Sequence, residues 1–444
     1  MGKCLIKLVV KVLIRRKTLF NKTTLVGSIM VILLLSIYLQ VYFYSNNLPH
    51  SYIEEVNFAY SYIFSKVNEH ENTPLRILRS IKNLIHDVSN RGINLQNNQE
   101  LFIDREVLVN TIINGLDVDV SKVKIGTRCI LVNVTFIGVS EIIIQGDYNV
   151  IFGIQIMGLN KTCGIFIKGS NNLLYDIDMS HTGTGIKIIN SHNNTIWKFN
   201  ISHVGRPPIG ESPKIIEIIE GDNNLIAHGI GIAPYPNWGI YVERGADNII
   251  FNVTIISAHN YFKFSEVESL YIVNCQAIRE YGLYGDDYFE GSVAKNGRVF
   301  IINSAMIGSG TDALLFSGGN GGVIYVVNPY FSRCQSLVSI HNPCENLTVV
   351  FINASLSLVE TKTWYRSYIP HGVKLVLINT TLTLLEFIWI KGAIESYPMP
   401  LFITLFKDTI KVFWKILVSL LAIILVPPIV INFFIYKVVN DERA

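Results

Sequence analysis

Charged residues are scarce in this chain. They make up 16% of its 444 residues, whereas hydrophobic residues make up 50%. Ordinary soluble domains carry about a quarter charged residues. The net charge of +3 is small and no basic tract lies in the central region, so nucleic acid is not expected as a partner. The composition instead predicts membrane segments or a core of continuous apolar strands.

Paired cysteine motifs are also missing. The chain has six cysteines without a Cys-x-x-Cys pair, which argues against a zinc ribbon or a redox motif. Cys334 and Cys344 are the nearest neighbours in sequence within the central region. Two interpretations stay open for them: a disulfide in an oxidising compartment, or small buried apolar residues.

Two long apolar runs lie near the chain ends. Residues 25–44 carry no charge and follow seven basic residues, and 20 residues are about the length that crosses a bilayer. A second run lies within residues 413–436. The excess of basic residues before the first run predicts a cytoplasmic N-terminus, hence a two-pass protein of the cell membrane with an extracytoplasmic middle.

Asparagine sequons agree with that topology. Eight Asn-x-Ser/Thr motifs fall between the two runs and are predicted to be glycosylated. They begin at Asn133, Asn160, Asn193, Asn200, Asn252, Asn346, Asn353 and Asn379.

The central region repeats a motif in which an apolar residue precedes Asn, or a substitute, and further apolar positions follow. The anchors are Asn133, Gln155, Asp178, Asn200, Gly231, Asn252, Asn274, Asn303, Asn328, Asn353 and Asn379. Eight of the ten spacings lie between 21 and 26 residues, a period that predicts a solenoid. Leucine-rich repeats would need a Leu-x-x-Leu-x-Leu frame, which is missing. The prediction is an all-β fold, a right-handed parallel β-helix of about eleven coils.

A second asparagine repeat precedes the anchors in the early coils. It ends at Asn172, Asn194, Asn224 and Asn248. Asparagine tolerates the left-handed conformation of tight turns, and stacked asparagines can bond along a ladder of identical turns.

Two amphipathic helices are predicted before the coils. Ser51 and Glu54 form a capping box at the start of the first, and the second runs from Pro74 to Gly92. We expect one of them to cover the open N-terminal end of the solenoid. The predicted organisation is a basic cytoplasmic segment (1–24), a transmembrane helix (25–44), a helical linker and cap (45–124), the β-helix (125–385), a connector (386–412), a second transmembrane helix (413–436) and a cytoplasmic tail (437–444).

The Asn-Asn turn, followed by an apolar strand and a second Asn, resembles the repeats of pectate-lyase-fold proteins, in particular the NosD-like carbohydrate-associated subset. The resemblance covers about residues 125–385. It implies a right-handed parallel β-helix and a link to carbohydrate, since members include lyases, hydrolases, epimerases and adhesins. Gly285-Asp286-Asp287 is similar to the Asp-Asp element of polygalacturonase-like hydrolases, but that family's Asn-Thr-Asp, Gly-His-Gly and Arg-Ile-Lys elements are missing.

Two long spacings predict inserted loops, at residues 205–213 and 279–295. In the second, Asp286, Asp287 and Glu290 are the candidate catalytic carboxylates for glycosidic acid–base work, or ligands for calcium. The candidate carbohydrate-binding residues are Arg279, Tyr281, Tyr284 and Tyr288, with Trp238. The competing interpretation is a solvated loop whose rings pack down.

His181 and His203 each follow an anchor by three residues. They are expected to stack on adjacent coils about 5 Å apart. Two stacked imidazoles can bind a metal, but no third ligand occupies the same coil position, so we favour a solvent-facing stack.

The predicted function is binding of cell-surface polysaccharide by a membrane-anchored, extracytoplasmic β-helix. The alternatives are a polysaccharide-active enzyme (lyase, hydrolase or epimerase) and a purely structural envelope protein. Membrane and polysaccharide are the expected partners, and calcium is the cofactor considered.

Overall fold

The computed structural model describes residues 50–71, 76, 91–94, 100–115, 122–158, 163–202, 212–233, 237–279, 287–308, 312–317, 321–332, 336–342, 346–355, 373–380 and 394–396. The chain divides into two compact units. All described residues belong to the unit formed by Pro49–Thr380 and Ile390–Ser396, and the other unit lies outside them.

The described residues form one helix and 28 strands. The helix is α1 (His50–Glu71). The strands are β1 (Arg91–Asn94), β2 (Glu100–Ile103), β3 (Val107–Val109), β4 (Thr111–Asn114), β5 (Lys122–Ile125), β6 (Ile130–Val132), β7 (Thr135–Ile137), β8 (Glu141–Ile144), β9 (Val150–Met157), β10 (Cys163–Ile167), β11 (Leu173–Ser180), β12 (Thr184–Ile189), β13 (Thr195–Ser202), β14 (Lys214–Ile219), β15 (Leu225–Ile232), β16 (Trp238–Gly245), β17 (Asn248–Ile256), β18 (Asn260–Val273), β19 (Gln276–Ile278), β20 (Asp287–Ile302), β21 (Ala305–Ile307), β22 (Asp312–Ser317), β23 (Gly322–Val327), β24 (Tyr330–Ser332), β25 (Ser336–Asn342), β26 (Leu347–Ile352), β27 (Val373–Ile378) and β28 (Ile394–Ser396).

The strands stack as a parallel β-helix with three faces. Face A comprises β2, β5, β8, β10, β12, β14, β16, the first parts of β18 and β20, β22 and β25. Face B comprises β3, β6, the first parts of β9, β11, β13, β15 and β17, the last parts of β18 and β20, and β23, β26, β27 and β28. Face C comprises β1, β4, β7, the last parts of β9, β11, β13, β15 and β17, and β19, β21 and β24. Every strand pair among the described residues is parallel.

Apolar side chains stack inside these faces, coil upon coil. On face A one register aligns Ile186, Ile216, Ile240, Phe262 and Phe289, and all five are at most 1% exposed. Each coil cannot bury this inner face alone, so neighbouring coils supply the core. The parallel β-helix inferred from the repeat is therefore confirmed. It has about nine turns rather than the predicted eleven.

A residue with a left-handed backbone conformation forms the corner between faces B and C in successive coils. This corner column contains Asn110, Asn133, Gly153, Asp176, Lys198, His228, Asn252, Asn274, Asn303, Asn328, Asn353 and Asn379. The predicted anchors Gln155, Asp178, Asn200 and Gly231 lie two or three residues beyond it. In the middle coils the corner residue is not asparagine, so the predicted anchors there were misplaced.

Side-chain pairing along the corner column explains those substitutions. Lys198 forms an ion pair with Asp176 at 2.8 Å, and the amide of Asn252 lies 2.9 Å from Nδ1 of His228. Elsewhere one asparagine amide donates to the next, as from Asn133 to Asn110 at 3.2 Å. Side-chain contacts therefore join neighbouring coils between Asp176 and Lys198 and between His228 and Asn252, where asparagine is replaced, whereas Gly153 has no side chain to contribute.

The expected asparagine ladder is confirmed as a second, buried column. It contains Asn149, Asn172, Asn194, Asn224 and Asn248, which are at most 1% exposed. The backbone N–H and Nδ2 of each of the first four donate to Oδ1 of the asparagine in the next coil, at 2.9–3.2 Å. These bonds satisfy turn donors that burial would otherwise leave unpaired.

Helix α1 lies along face B, not over the N-terminal end of the solenoid. Its buried side carries Val56, Ala59, Ile63 and Val67. The partners run from Tyr325, which contacts Tyr52, to Thr195, which contacts His70. Glu55 anchors the first half, since it accepts hydrogen bonds from Tyr325 and Arg298.

The predicted boundaries differ from the structure at the N-terminal side. Pairing of coil strands begins at Arg91, before the predicted start at residue 125. Gly92, the predicted end of the second helix, belongs to β1. The rest of that helix is outside the described residues except for Arg76.

The prediction of two transmembrane helices is corrected. In the part of the chain that the structure describes, no helix is long and apolar enough to cross a membrane. Helix α1 has the length, but Glu54, Glu55, Lys66 and Glu69 make it amphipathic. The apolar runs 25–44 and 413–436 lie outside the described residues. The corrected architecture is an all-β parallel β-helix with one helix. The predicted two-pass membrane localisation depended on the two transmembrane helices and is corrected with them.

Candidate functional site

The predicted loop at residues 279–295 is partly a strand. Asp287 and Glu290 belong to β20, on face A, because pairing with β18 continues to the start of the strand. Tyr281, Tyr284 and Asp286 lie outside the described residues. Arg279 directly follows β19, and its backbone N–H donates to the carbonyl oxygen of Ile307 at 2.8 Å.

Tyr288 is a core residue. It is fully buried, and its ring centroid lies 5.1 Å from that of Tyr261 on the preceding coil. A ring in this position gives no surface to a glycan. The interpretation that the rings of this segment pack down therefore applies to Tyr288.

Face A carries two adjoining columns of polar and aromatic residues, which we call the face A strip. The first column aligns Lys214, Trp238, Asn260 and Asp287. The second aligns Lys187, Glu217, Tyr241, Lys263 and Glu290. The strip spans four coil steps, about 19 Å at the usual strand spacing.

Two buried carboxylates hold three lysines in the strip. Glu217 pairs with Lys187 at 2.8 Å and with Lys214 at 2.7 Å, and Glu290 pairs with Lys263 at 2.8 Å. The carboxylate side chains are 5% and 11% exposed, whereas those of the lysines are 14–27% exposed. The carboxylates therefore lie beneath ammonium groups that solvent can still reach.

Trp238 lies between these charges. Nζ of Lys263 is 4.2 Å from its ring centroid and Nζ of Lys214 is 5.3 Å away, both within cation–π range. Tyr241 meets the indole edge-on at 5.5 Å and donates from its hydroxyl to Glu243 at 3.2 Å. Burial, aided by Glu243, raises the pKa of Tyr241 to about 12. The phenol is therefore a donor at neutral pH.

Sequence analysis identified Trp238, Asp287 and Glu290 but missed the lysines and Glu217. A lysine or glutamate in a strand has no local signal that separates it from ordinary solvated surface. The usable signal was the coil spacing, since Lys187, Glu217, Tyr241, Lys263 and Glu290 follow one another at 22–30 residues.

Only one of the two histidines predicted to stack is among the described residues. His181 is exposed and has a left-handed backbone. His203 lies outside the described residues. No cluster of three metal-ligating His, Cys, Asp or Glu side chains occurs in the described ranges.

Seven of the eight predicted glycosylation sites are described, and all seven are exposed. Amide nitrogens are already hydrogen-bonded at Asn133, Asn200, Asn252 and Asn379. Asn160 lies outside the described residues. Glycosylation stays a prediction at each site.

Replacing Glu217 by glutamine should lower the free energy of unfolding by about 1–3 kcal/mol. The change leaves two lysines facing each other without their counter-ion in a half-buried setting. Urea titration followed by circular dichroism measures the effect. The matched control is Glu100→Gln, which breaks an equally short but exposed pair with Lys124 and should cost about 0–1 kcal/mol. Equal costs would contradict the buried-pair assignment.

No protein-family model matches this chain, and no curated protein matches it either.

Proposed function

We propose that this β-helix binds an extended polysaccharide along the face A strip. The observation that carries the proposal is Trp238 between two lysines that buried carboxylates hold in place. Helix α1 covers face B instead, so it does not occupy the strip.

The chemistry of the strip complements that of a sugar chain. Sugar hydroxyls both donate and accept hydrogen bonds, and the strip has ammonium donors beside phenol, carboxylate and amide acceptors. An indole adds apolar surface with a polar N–H. Because polar or aromatic groups recur on every coil, at about 4.8 Å, the strip favours a long ligand over a compact one.

The repeats support the same proposal. Their Asn-Asn turns resemble those of the NosD-like subset of pectate-lyase-fold proteins, which is associated with carbohydrate. We propose that the chain belongs with that subset.

The test is a binding screen of the full chain against polygalacturonate, xylan, β-1,3-glucan and chitin by affinity electrophoresis. Trp238→Ala should weaken binding about tenfold or more, equivalent to about 1.4 kcal/mol. The control is Tyr330→Ala, which removes an exposed ring from face C and should change affinity less than about twofold. No binding to any of the four polymers, or equal effects of both variants, would refute the proposal.

A glycan-cleaving enzyme is the second candidate, favoured by one register pair. Asp287 aligns with Asp312 on the next coil, so their backbones lie about 4.8 Å apart. Retaining glycosidases need two carboxyl groups about 5–5.5 Å apart, and residues on adjacent coils have a backbone spacing of that order. Glu217 and Glu290 are three coils apart, about 14 Å, which exceeds the inverting range of about 9.5 Å.

The same screen tests the enzyme candidate. New reducing or unsaturated ends, with or without calcium, should vanish in both Asp287→Asn and Asp312→Asn while binding persists. Ends that survive both changes would exclude this pair as the catalytic carboxylates.

A further inference from the structure

A groove separate from the face A strip runs between helix α1 and the turns that join face A to face B. It has a volume of about 420 Å³, within the range of small-molecule sites. Its floor is the outer surface of face B, where one register aligns Val150, Leu173, Thr195, Leu225 and Ile249 coil by coil. We call it the α1 groove.

One wall of the α1 groove is a row of turn residues. Tyr148, Asn171, Asn193 and Asn223 have left-handed backbones on successive coils. The backbone N–H of Asn171 and of Asn193 each donates to the next coil at 3.0 Å. The row is therefore fixed by its backbone, and the side chains are not needed to hold it.

The amides of this wall are presented to solvent. Asn171 and Asn193 are exposed, and neither side chain bonds to another described residue. Asn223 accepts from the hydroxyl of Tyr62 on α1 at 3.5 Å. Each free amide offers two donors and one acceptor oxygen, repeated at about 4.8 Å.

The opposite wall adds little net charge. Lys66 and Glu69 of α1 pair with each other at 3.9 Å. Burial lowers the pKa of His70, so its imidazole is neutral at pH 7. Asp247, at the far end, already accepts from Ser269 at 2.8 Å. The groove thus combines an apolar floor, amide groups and tyrosines around a nearly uncharged space.

We propose that the α1 groove is a second binding site, for a neutral oligosaccharide. The C–H faces of the sugars pack on Val150 and Leu173, the partly exposed apolar residues of the floor. The sugar hydroxyls exchange hydrogen bonds with the amides of Asn171 and Asn193. The site is separate from the face A strip and does not depend on it.

Calorimetric titration of the full chain tests this, with the neutral β-1,4-linked hexaoses of glucose, xylose, mannose and N-acetylglucosamine as probes. At least one should bind, and Asn171→Gly/Asn193→Gly should weaken it about tenfold or more. Glycine keeps the left-handed backbone, so the variant removes amides without disturbing the turns. Asn171→Gly alone should already weaken binding, and it leaves the sequon at Asn193 intact.

Two controls separate this site from the face A strip. Asn346→Gly replaces an exposed, left-handed asparagine outside the groove and should leave affinity within about twofold. Trp238→Ala should also leave hexaose binding unchanged. The proposal would be overturned if none of the four hexaoses bound, or if the double glycine variant bound as tightly as the unaltered chain. Loss with Trp238→Ala alone would assign the hexaose to the face A strip and overturn it too.

Discussion

Replacing Asn194 by alanine should destabilise the β-helix by about 2–6 kcal/mol, since two buried donors lose their acceptor at about 1–3 kcal/mol each. Those donors are the backbone N–H and Nδ2 of Asn172, both bonded to Oδ1 of Asn194 at 3.0 and 3.1 Å. Asn194 is fully buried, so water cannot replace the lost acceptor. The free energy of unfolding from urea titration measures the loss.

The control for this change is Asn200→Ala, which removes an exposed amide on the same coil. That amide makes one hydrogen bond, to Asp178 at 3.1 Å, and its loss should cost about 0–1 kcal/mol. If Asn194→Ala cost no more than Asn200→Ala, the buried ladder would not stabilise the fold.

Acidification should loosen the C-terminal half of α1 from face B, because two histidines at that contact are held neutral. The ring of His228 lies 4.5 Å from that of Trp197 and 5.5 Å from that of Phe251, which Phe64 of α1 also contacts. Burial lowers the pKa of His228, and Glu71 opposes this more weakly. Burial likewise lowers the pKa of His70. The charge of Glu69 opposes this effect, and that of Lys66 adds to it.

The sign of the effect follows from proton binding. Between the lowered pKa and the ordinary value of 6.5, the unfolded state binds more protons than the folded one. Stability is therefore complete above 6.5 and is lost as the pH falls below that value. Each unit by which a pKa is lowered corresponds to about a tenfold change in the opening equilibrium.

Hydrogen exchange of the α1 backbone at about pH 7.5 and about pH 5 measures this, after correction for intrinsic rates. Protection in residues 60–71 should fall at the lower pH, and His228→Phe with His70→Gln should remove most of the fall. Protection that is equal at both pH values in the unaltered chain would contradict the account.

The fold was predictable because solenoid coils repeat in sequence. Turn asparagines such as Asn172 and Asn194 and a spacing near 22 residues define a coil without any tertiary information. The corner column was misassigned in the middle coils because Asp176, Lys198 and His228 take the place of asparagine there. Substitution by residues that can pair with their neighbours hides the repeat without changing the backbone.

The position of α1 was harder to predict than its existence. Its capping box and apolar stripe gave the helix, but the surface it covers depends on outward-facing residues of face B. Tyr271, Phe300 and Tyr325 are stacked and buried there. Continuous apolar runs around these residues, instead of alternation, were the available sign that this face is covered on both sides.

The candidate site was only partly predictable. The sequence predicted Asp287 and Glu290 as candidate carboxylates because they lie in an acidic, aromatic segment, and both lie on face A. Glu290 pairs with Lys263, which is 27 residues away. Asp287 aligns with Asp312, which is 25 residues away, and only the coil register brings these residues together.

The most direct test of polysaccharide binding along face A is protection of its lysines from reductive methylation, read by mass spectrometry with and without a saturating polysaccharide from the screen. The account predicts that the ligand protects Lys214 and Lys263, which flank Trp238, while exposed Lys295 outside the strip reacts equally in both samples. Equal modification of all three lysines in the presence of bound polysaccharide would contradict the account.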